Sequence, residues 1–203
     1  IFKKKTKFIY HNFDFDLLNS AKNFSERLLI KIEFFCSKKC NYLIFPSKER
    51  SILFKKDSKN SFSKYYYFMN CFPKKFIINN SIKFQKFLIL NKLQTKKIIC
   101  HLGSIGPNHF LEEIIDSFKF INDKFILVIG GSSINRFADH LKKKIEINNL
   151  KEKIYIIEDI SNNYWFEILR KSHLGLCFYK QMSLSHRYMA GTSQKFNNYL
   201  FFN

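Results

Sequence analysis

Four short apolar runs alternate with amphipathic segments between Lys96 and Asn203. Ile98–Leu102 ends at Gly103-Ser104-Ile105-Gly106-Pro107, and Phe125–Ile129 ends at Gly130-Gly131-Ser132-Ser133. Lys153–Ile157 ends at Glu158-Asp159, and Leu174–Tyr179 opens into a polar loop. Such runs, closed by glycine or polar residues, predict parallel strands buried on both faces. The segments between them repeat at three- and four-residue steps, the period of a helix with one buried side. Leu111, Ile114, Ile115, Phe118 and Ile121 form one stripe, opposite Glu112, Glu113 and Asp116. A second helix is predicted from about 134 to 148, with Phe137, Leu141 and Ile145 inward and Ser132 or Ser133 as its cap. A third spans 162–171 and buries Trp165, Ile168 and Leu169, and a last one begins at Thr192 or Ser193 with Phe196 and Leu200 inward. Strands alternating with helices predict a doubly wound α/β sheet, whose ligands bind beyond the carboxyl ends of its strands. That rule gathers residues 103–107, 130–133 and 193–195 around one site.

The first part of the chain reads as the tail of another α/β unit. Lys7–Tyr10 is a strand ending at His11-Asn12-Phe13-Asp14. A helix is predicted over about 16–38, with Leu17, Ala21, Phe24, Leu28, Ile32 and Phe35 inward. Tyr42–Phe45 is a second strand closed by Pro46, and Ser47 caps a short helix through Phe54. Residues 55–64 read as a polar turn, Tyr65–Met69 as a third strand, and Asn70-Cys71-Phe72-Pro73 as its end. Between 74 and 95 the pattern degrades into mixed lysine, asparagine and apolar residues, which predicts a linker. The expected organisation is therefore 1–73, a linker at 74–95, and 96–203. A start at Ile1 and a stop inside a helix pattern at Asn203 read as a fragment.

Composition narrows the partners. A 46% hydrophobic and 18% aromatic content excludes disorder, and no apolar run approaches the roughly 18 residues of a membrane span. The net charge of +19 invites a nucleic-acid reading. The excess is mostly lysine scattered through every segment alongside Asn, Ile and Phe, which points to compositional drift; no nucleic-acid partner is expected. Five cysteines lie at 36, 40, 71, 100 and 177. Cys36 and Cys40 have helical spacing but no second pair to complete a metal site. An odd count without a framework predicts free thiols in a reducing compartment.

Two segments carry candidate chemistry. Gly103-Ser104-Ile105-Gly106 is a strand-to-helix turn, where glycine permits close backbone approach and a helix start offers free N–H groups to an anion. It is not a dinucleotide fingerprint, because Gly130 stands where an acidic ribose ligand belongs. Thr192-Ser193-Gln194-Lys195 joins a hydroxyl, helix-start amides and a lysine, a chemically complete diphosphate clamp. His186 and Arg187 lie in the polar loop before it. His11, at a strand end beside Asp14, and His109, at the start of a helix, are the histidines placed to meet a ligand.

In this order, these motifs resemble the donor half of a family-4-type nucleotide-sugar glycosyltransferase of GT-B fold, preceded by the end of its acceptor half. The resemblance rests on the Gly103 turn, Ile129-Gly130-Gly131, Glu167-Ile168-Leu169 and Ser193-Gln194-Lys195-Phe196-Asn197-Asn198-Tyr199-Leu200. In the first part it rests on Ile9-Tyr10-His11, Tyr42–Ser47 and Asn70–Pro73. The fold class it implies is α/β, GT-B-like, with two Rossmann-like parallel-sheet domains, the first present in part. The activity it implies is transfer of a sugar from a nucleoside diphosphate sugar to a glycan or lipid-linked acceptor, with retention and without a metal or other cofactor. By the same resemblance, Gly103, Ser104, His109, Gly130, Ser193 and Lys195 meet the diphosphate, and Asn198 the ribose. His11 meets the sugar, oriented by Asp14, and His11 and Lys195 are the catalytic pair. A cytoplasmic location is implied, with peripheral contact to the anionic inner membrane face. Ser104 stands where the family has arginine, His109 near its lysine, and Asn198 and Ala190 at its two glutamates. A GT-B nucleotide-sugar epimerase and a non-enzymatic basic α/β module are the alternatives left open.

Overall fold

The computed structural model describes residues 6–14, 16–61, 63–70, 82–181, 187–189 and 192–202. Both sheets in it are wholly parallel. Two units divide the chain: residues 1–71 with 181–194, and residues 72–180 with 195–203. Segments 71–81, 182–186 and 190–191 lie outside the described residues. With them lie Cys71-Phe72-Pro73, the first part of the expected linker, His186, Ala190 and Gly191.

In the first unit, β1 (Ile9–His11), β2 (Tyr42–Phe45) and β3 (Lys64–Tyr67) form a sheet in the order β1-β2-β3. Helices α1 (Phe24–Ser37) and α2 (Lys48–Ser58) join them. Leu43 and Phe45 alternate along β2 with the half-exposed Tyr42 and Ile44, so one sheet face meets Ile30, Phe34 and Phe54. Two helix expectations change here. The predicted helix over 16–38 starts only at Phe24, because Asn23 turns its side chain onto the Glu26 amide (2.8 Å) and ends the earlier turn. Its buried face is Ile30, Phe34 and Ser37, whereas Phe24, Leu28, Ile32 and Phe35 are exposed. Apolar residues occupy more than one side of α1, so periodicity alone allowed two stripes. The Phe34–Phe54 edge contact, with centroids 5.2 Å apart, goes with the one that is buried. Ser47 does cap α2, accepting from the Arg50 amide at 3.2 Å. That helix runs on to Ser58 through what read as a polar turn.

In the second unit, α3 (Lys83–Leu90) precedes β4 (Lys97–Leu102), α4 (Leu111–Ser117), β5 (Phe125–Gly131), α5 (Phe137–Ile147) and β6 (Ile154–Glu158). Then follow α6 (Asn162–Lys171), β7 (Leu174–Gly175) and α7 (Gln194–Phe202). The sheet order is β6-β5-β4-β7. Strand alternation splits the apolar runs between two cores. Ile99, Leu127, Ile129 and Ile154 pack with Leu111, Ile114, Ile115, Leu141 and Ile145 of α4 and α5. Ile98, Cys100, Leu102, Ile126 and Val128 pack with Phe84 and Leu88 of α3, Ile168 and Leu169 of α6, and Tyr199 of α7. Helices therefore cover both faces, and β4 from Ile98 and β5 from Ile126 onward are buried as their composition predicts. β6 and β7 are edge strands and only partly covered.

Residues 83–90, inside the span read as a linker, form α3 with Phe84 and Leu88 buried. No side chain of α3 itself caps it. Glu167 of α6 does so instead, its two carboxylate oxygens accepting from the Phe84 and Gln85 amides at 2.9 Å each. A buried carboxylate on two helix-start amides is a charge-assisted cap. Glu167→Ala is expected to lower stability by about 2 kcal/mol, measured as a shift in denaturant midpoint. An unchanged midpoint would show that α3 is held by its apolar face alone.

The expected strand Leu174–Tyr179 is shorter than predicted. Ladder pairing ends at Gly175, with one further bond from the Leu176 amide to the Cys100 carbonyl (2.7 Å). Beyond it the chain turns so that the Lys180 amide reaches the Asn108 carbonyl at 2.8 Å. The face of α7 also differs: Phe196 and Leu200 are exposed, and Lys195, Asn198 and Tyr199 are buried. Tyr199 decides this orientation. Its ring lies over Gly175, where a Cβ would come within 2.5 Å of it. Its hydroxyl accepts from the Leu102 amide (3.0 Å) and donates to the Leu176 carbonyl (3.2 Å).

Candidate functional site

The second sheet reverses direction beside β4. The chain steps from β4 to β5 to β6, then crosses back to lay β7 on the opposite side of β4. Connections in the two directions lie on opposite faces, the topology that makes the carboxyl end of β4 the usual ligand position in such sheets. The residues at that end are His101, Leu102, Gly103 and Ser104.

Gly103 and Ile105 continue the β4–β5 pairing past the end of β4. The Gly103 amide donates to the Gly130 carbonyl at 2.9 Å, and the Ile105 amide to the Ser132 carbonyl at 2.8 Å. Gly103 and Gly131 have positive φ, 149° and 144°. A Cβ on Gly103 would lie 2.7 Å from Cε of Lys195, so the lysine stem rests directly on the turn. Gly130 has a packing role: a Cβ there would meet Leu102 Cδ2 at 2.8 Å and Ile160 Cδ1 at 3.0 Å. The close-approach glycine in β5 is Gly131.

Lys195 is 8% exposed, and its Nζ lies 3.3 Å from His101 Nε2 and 5.1 Å above the Tyr179 ring. Burial lowers its pKa to about 8, because desolvation penalises the charged form. No salt bridge among the described residues includes it. His109 ends the 3-10 turn Pro107–His109 and is buried. Its Nδ1 lies 3.2 Å from the Phe178 carbonyl, which can only accept, so Nδ1 carries the hydrogen. In the neutral ring Nε2 then accepts from the Ser104 hydroxyl at 2.8 Å. The His101 and His109 rings are 5.2 Å apart, and those of His109 and Tyr179 are 5.1 Å apart.

Of the residues read from sequence, Gly103, Ser104, His109 and Lys195 come together here. Asn198 is buried one turn after Lys195 on α7. Ser193 is buried and belongs to the first unit, as does Thr192. His11 ends β1 in the first unit, exposed, with its ring 4.2 Å from that of Phe13. Asp14, expected to orient His11, pairs instead with the buried guanidinium of Arg50 at 3.3 Å. Three residues were not singled out from sequence. Arg50 and Tyr199 read as ordinary members of their helices, and His101 read as one more position in an apolar strand. A histidine within an otherwise aliphatic run was the available signal. Among the described residues no group of three His, Cys, Asp or Glu side chains forms a metal site. The cysteines described are free thiols. No described helix is long and apolar enough to cross a membrane.

No protein-family model and no curated protein matches the sequence. Solved structures do match. A UDP-forming α,α-trehalose-phosphate synthase from Burkholderia xenovorans aligns with a TM-score of 0.65 at 11% identity, over 98% of this chain and 51% of its own. The fold is of the GT-B type. Anabaena HepE in complex with UDP and glucose aligns at 0.63 and 12% identity, over 83% of this chain and 45% of its own. Sucrose-phosphate synthase from Thermosynechococcus elongatus gives 0.59 and 12%, over 82% and 43%. The chain thus spans about half the length of these GT-B structures.

Proposed function

We propose that this GT-B chain binds a nucleoside diphosphate sugar at the carboxyl end of β4 and takes part in moving its sugar to a glycan or lipid-linked acceptor. The observation that carries the reading is a buried lysine resting on a positive-φ glycine turn, without a carboxylate partner among the described residues. A buried ammonium is costly unless an anion accompanies it. The solved counterparts in complex with UDP or a UDP sugar support a diphosphate as that anion. Fixed donors stabilise a departing diphosphate without having to reorient during the reaction. In this reading Gly103 lets the ligand approach the turn closely, Ser104 offers its backbone amide, Lys195 offers charge, and the Ser104–His109 pair takes the place of an arginine and a lysine. Ser193 adds a hydroxyl, Asn198 meets the ribose, and His11 meets the sugar. Retention, independence from metal, a cytoplasmic location and contact with an anionic membrane face complete the proposal.

Titration of the full chain with UDP tests it. Lys195→Met keeps the apolar stem on Gly103 and removes the ammonium, and is expected to weaken UDP binding by ~2 kcal/mol. Affinity should also fall as pH rises through about 8, where the free ammonium loses its proton. Calorimetry that finds equal affinity in both proteins would exclude Lys195 as a diphosphate contact.

A further inference from the structure

His101 occupies the last but one position of β4 and is fully enclosed. A leucine or isoleucine, like its neighbours, would fill this position with no polar atom to satisfy. Burial pushes the imidazole pKa down to about 3, so the ring is uncharged at neutral pH. An ammonium only donates, so Nε2 accepts from Lys195 and the ring hydrogen sits on Nδ1. That Nδ1 has no hydrogen-bond partner among the described residues. A polar side chain placed in an aliphatic strand, bonded to a lysine side chain and with the Ser104 and Leu176 backbone near its ring, has a positional role to explain.

Building on the diphosphate reading, we propose that His101 is a positioning residue, whose neutral imidazole holds the Lys195 ammonium on the Gly103 turn without neutralising it. A carboxylate at this position would hold the lysine more strongly, but its negative charge would repel the incoming diphosphate. Imidazole supplies an acceptor and no charge. The other titratable groups around the couple are His109, Tyr179, Cys100 and Cys177. Burial raises the Cys100 thiol to about 11, which leaves it neutral as well. The ammonium is therefore surrounded by acceptors and rings, and a ligand completes its neutralisation.

The test uses the full chain, UDP calorimetry, and NMR of lysine side chains between about pH 6 and 10. His101→Leu removes the acceptor and is expected to weaken UDP binding about tenfold and to move the Lys195 midpoint below that of the wild type. His101→Gln, whose amide oxygen accepts, should restore both to within about threefold. If the leucine variant does not fold, His101→Asn, too short to reach Nζ, replaces it. An unmoved Lys195 midpoint in the variant lacking the acceptor overturns the proposal whatever happens to affinity. A wild-type chain that binds no UDP, with a Lys195 midpoint that still depends on residue 101, overturns the diphosphate reading and leaves the histidine–lysine couple standing.

Discussion

Gly131→Ala is expected to prevent stable folding of the second unit, seen as loss of its cooperative denaturant transition. A Cβ on Gly131 would lie 1.8 Å from the Gly103 carbonyl oxygen and 2.8 Å from its carbon, at a φ of 144°. Both opposing atoms are backbone, so no side-chain rotation relieves the overlap. Separating the segments would break the Gly103–Gly130 and Ile105–Ser132 hydrogen bonds that continue the sheet beyond Leu102. Backbone strain and the lost bonds together exceed about 4 kcal/mol, against a total stability of roughly 5–15 kcal/mol for a domain. Gly106→Ala is the matched control. Its Cβ would press on the Ile134 Cδ1 tip at 3.0 Å, with Ile134 Cβ and Cγ1 at an ordinary 3.6 Å, and its φ is an ordinary −154°. A rotamer change absorbs that contact, and a cost under about 1 kcal/mol is expected. Equal midpoints for the two alanine variants would contradict the close approach of the β4 and β5 ends.

Arg50→Met should be the most damaging side-chain change in the first unit, at about 3 kcal/mol. The arginine is 1% exposed. It donates to the Phe13 carbonyl, to Asp14 at 3.3 Å and to the Tyr188 carbonyl at 3.2 Å, tying the β1 loop, α2 and the 187–189 segment together. Burial lowers its pKa, and Asp14 opposes the shift. Methionine approximates the stem but leaves both carbonyls without this donor. Asp14→Asn separates the ion pair from the buried bonds. The Asp14 side chain is 81% exposed, so its loss should cost less than about 1 kcal/mol. Hydrogen exchange localises the effect. In Arg50→Met it should rise around Phe13 and Tyr188 and stay unchanged along β4 and β5. A cost for Asp14→Asn as large as that for Arg50→Met would reverse the assignment and make the ion pair dominant.

Particular elements show how far the chain is legible without its structure. The stripe Leu111–Ile114–Ile115–Phe118 is buried as its spacing predicts, and α6 spans the predicted 162–171 with Ile168 and Leu169 buried and Trp165 partly so. These segments have one apolar side, so their period admits one solution. α1 and α7 do not. α1 carries leucine, isoleucine and phenylalanine on several sides, and the buried one is the side that meets Phe54. In α7 the aliphatic reading chose Phe196 and Leu200, while a tyrosine hydroxyl bonded to the end of β4 and to the residue after β7 turned Lys195, Asn198 and Tyr199 inward. Hydropathy ranks tyrosine and lysine as surface residues and cannot anticipate partners that lie about a hundred positions away in sequence.

The alternation of apolar runs with amphipathic segments by itself determined the α/β class, the parallel strands, the main helices of the second half and the turn at Gly103. Those features follow from local periodicity and from glycine's freedom, which act within a few residues. Only the tertiary structure decided the strand order β6-β5-β4-β7, and with it the change of connection direction beside β4. It also decided the meeting of His101 with Lys195 and the capping of α3 by Glu167. Each of these joins residues far apart along the chain, and such pairings depend on which faces pack together, a choice that local pattern leaves open.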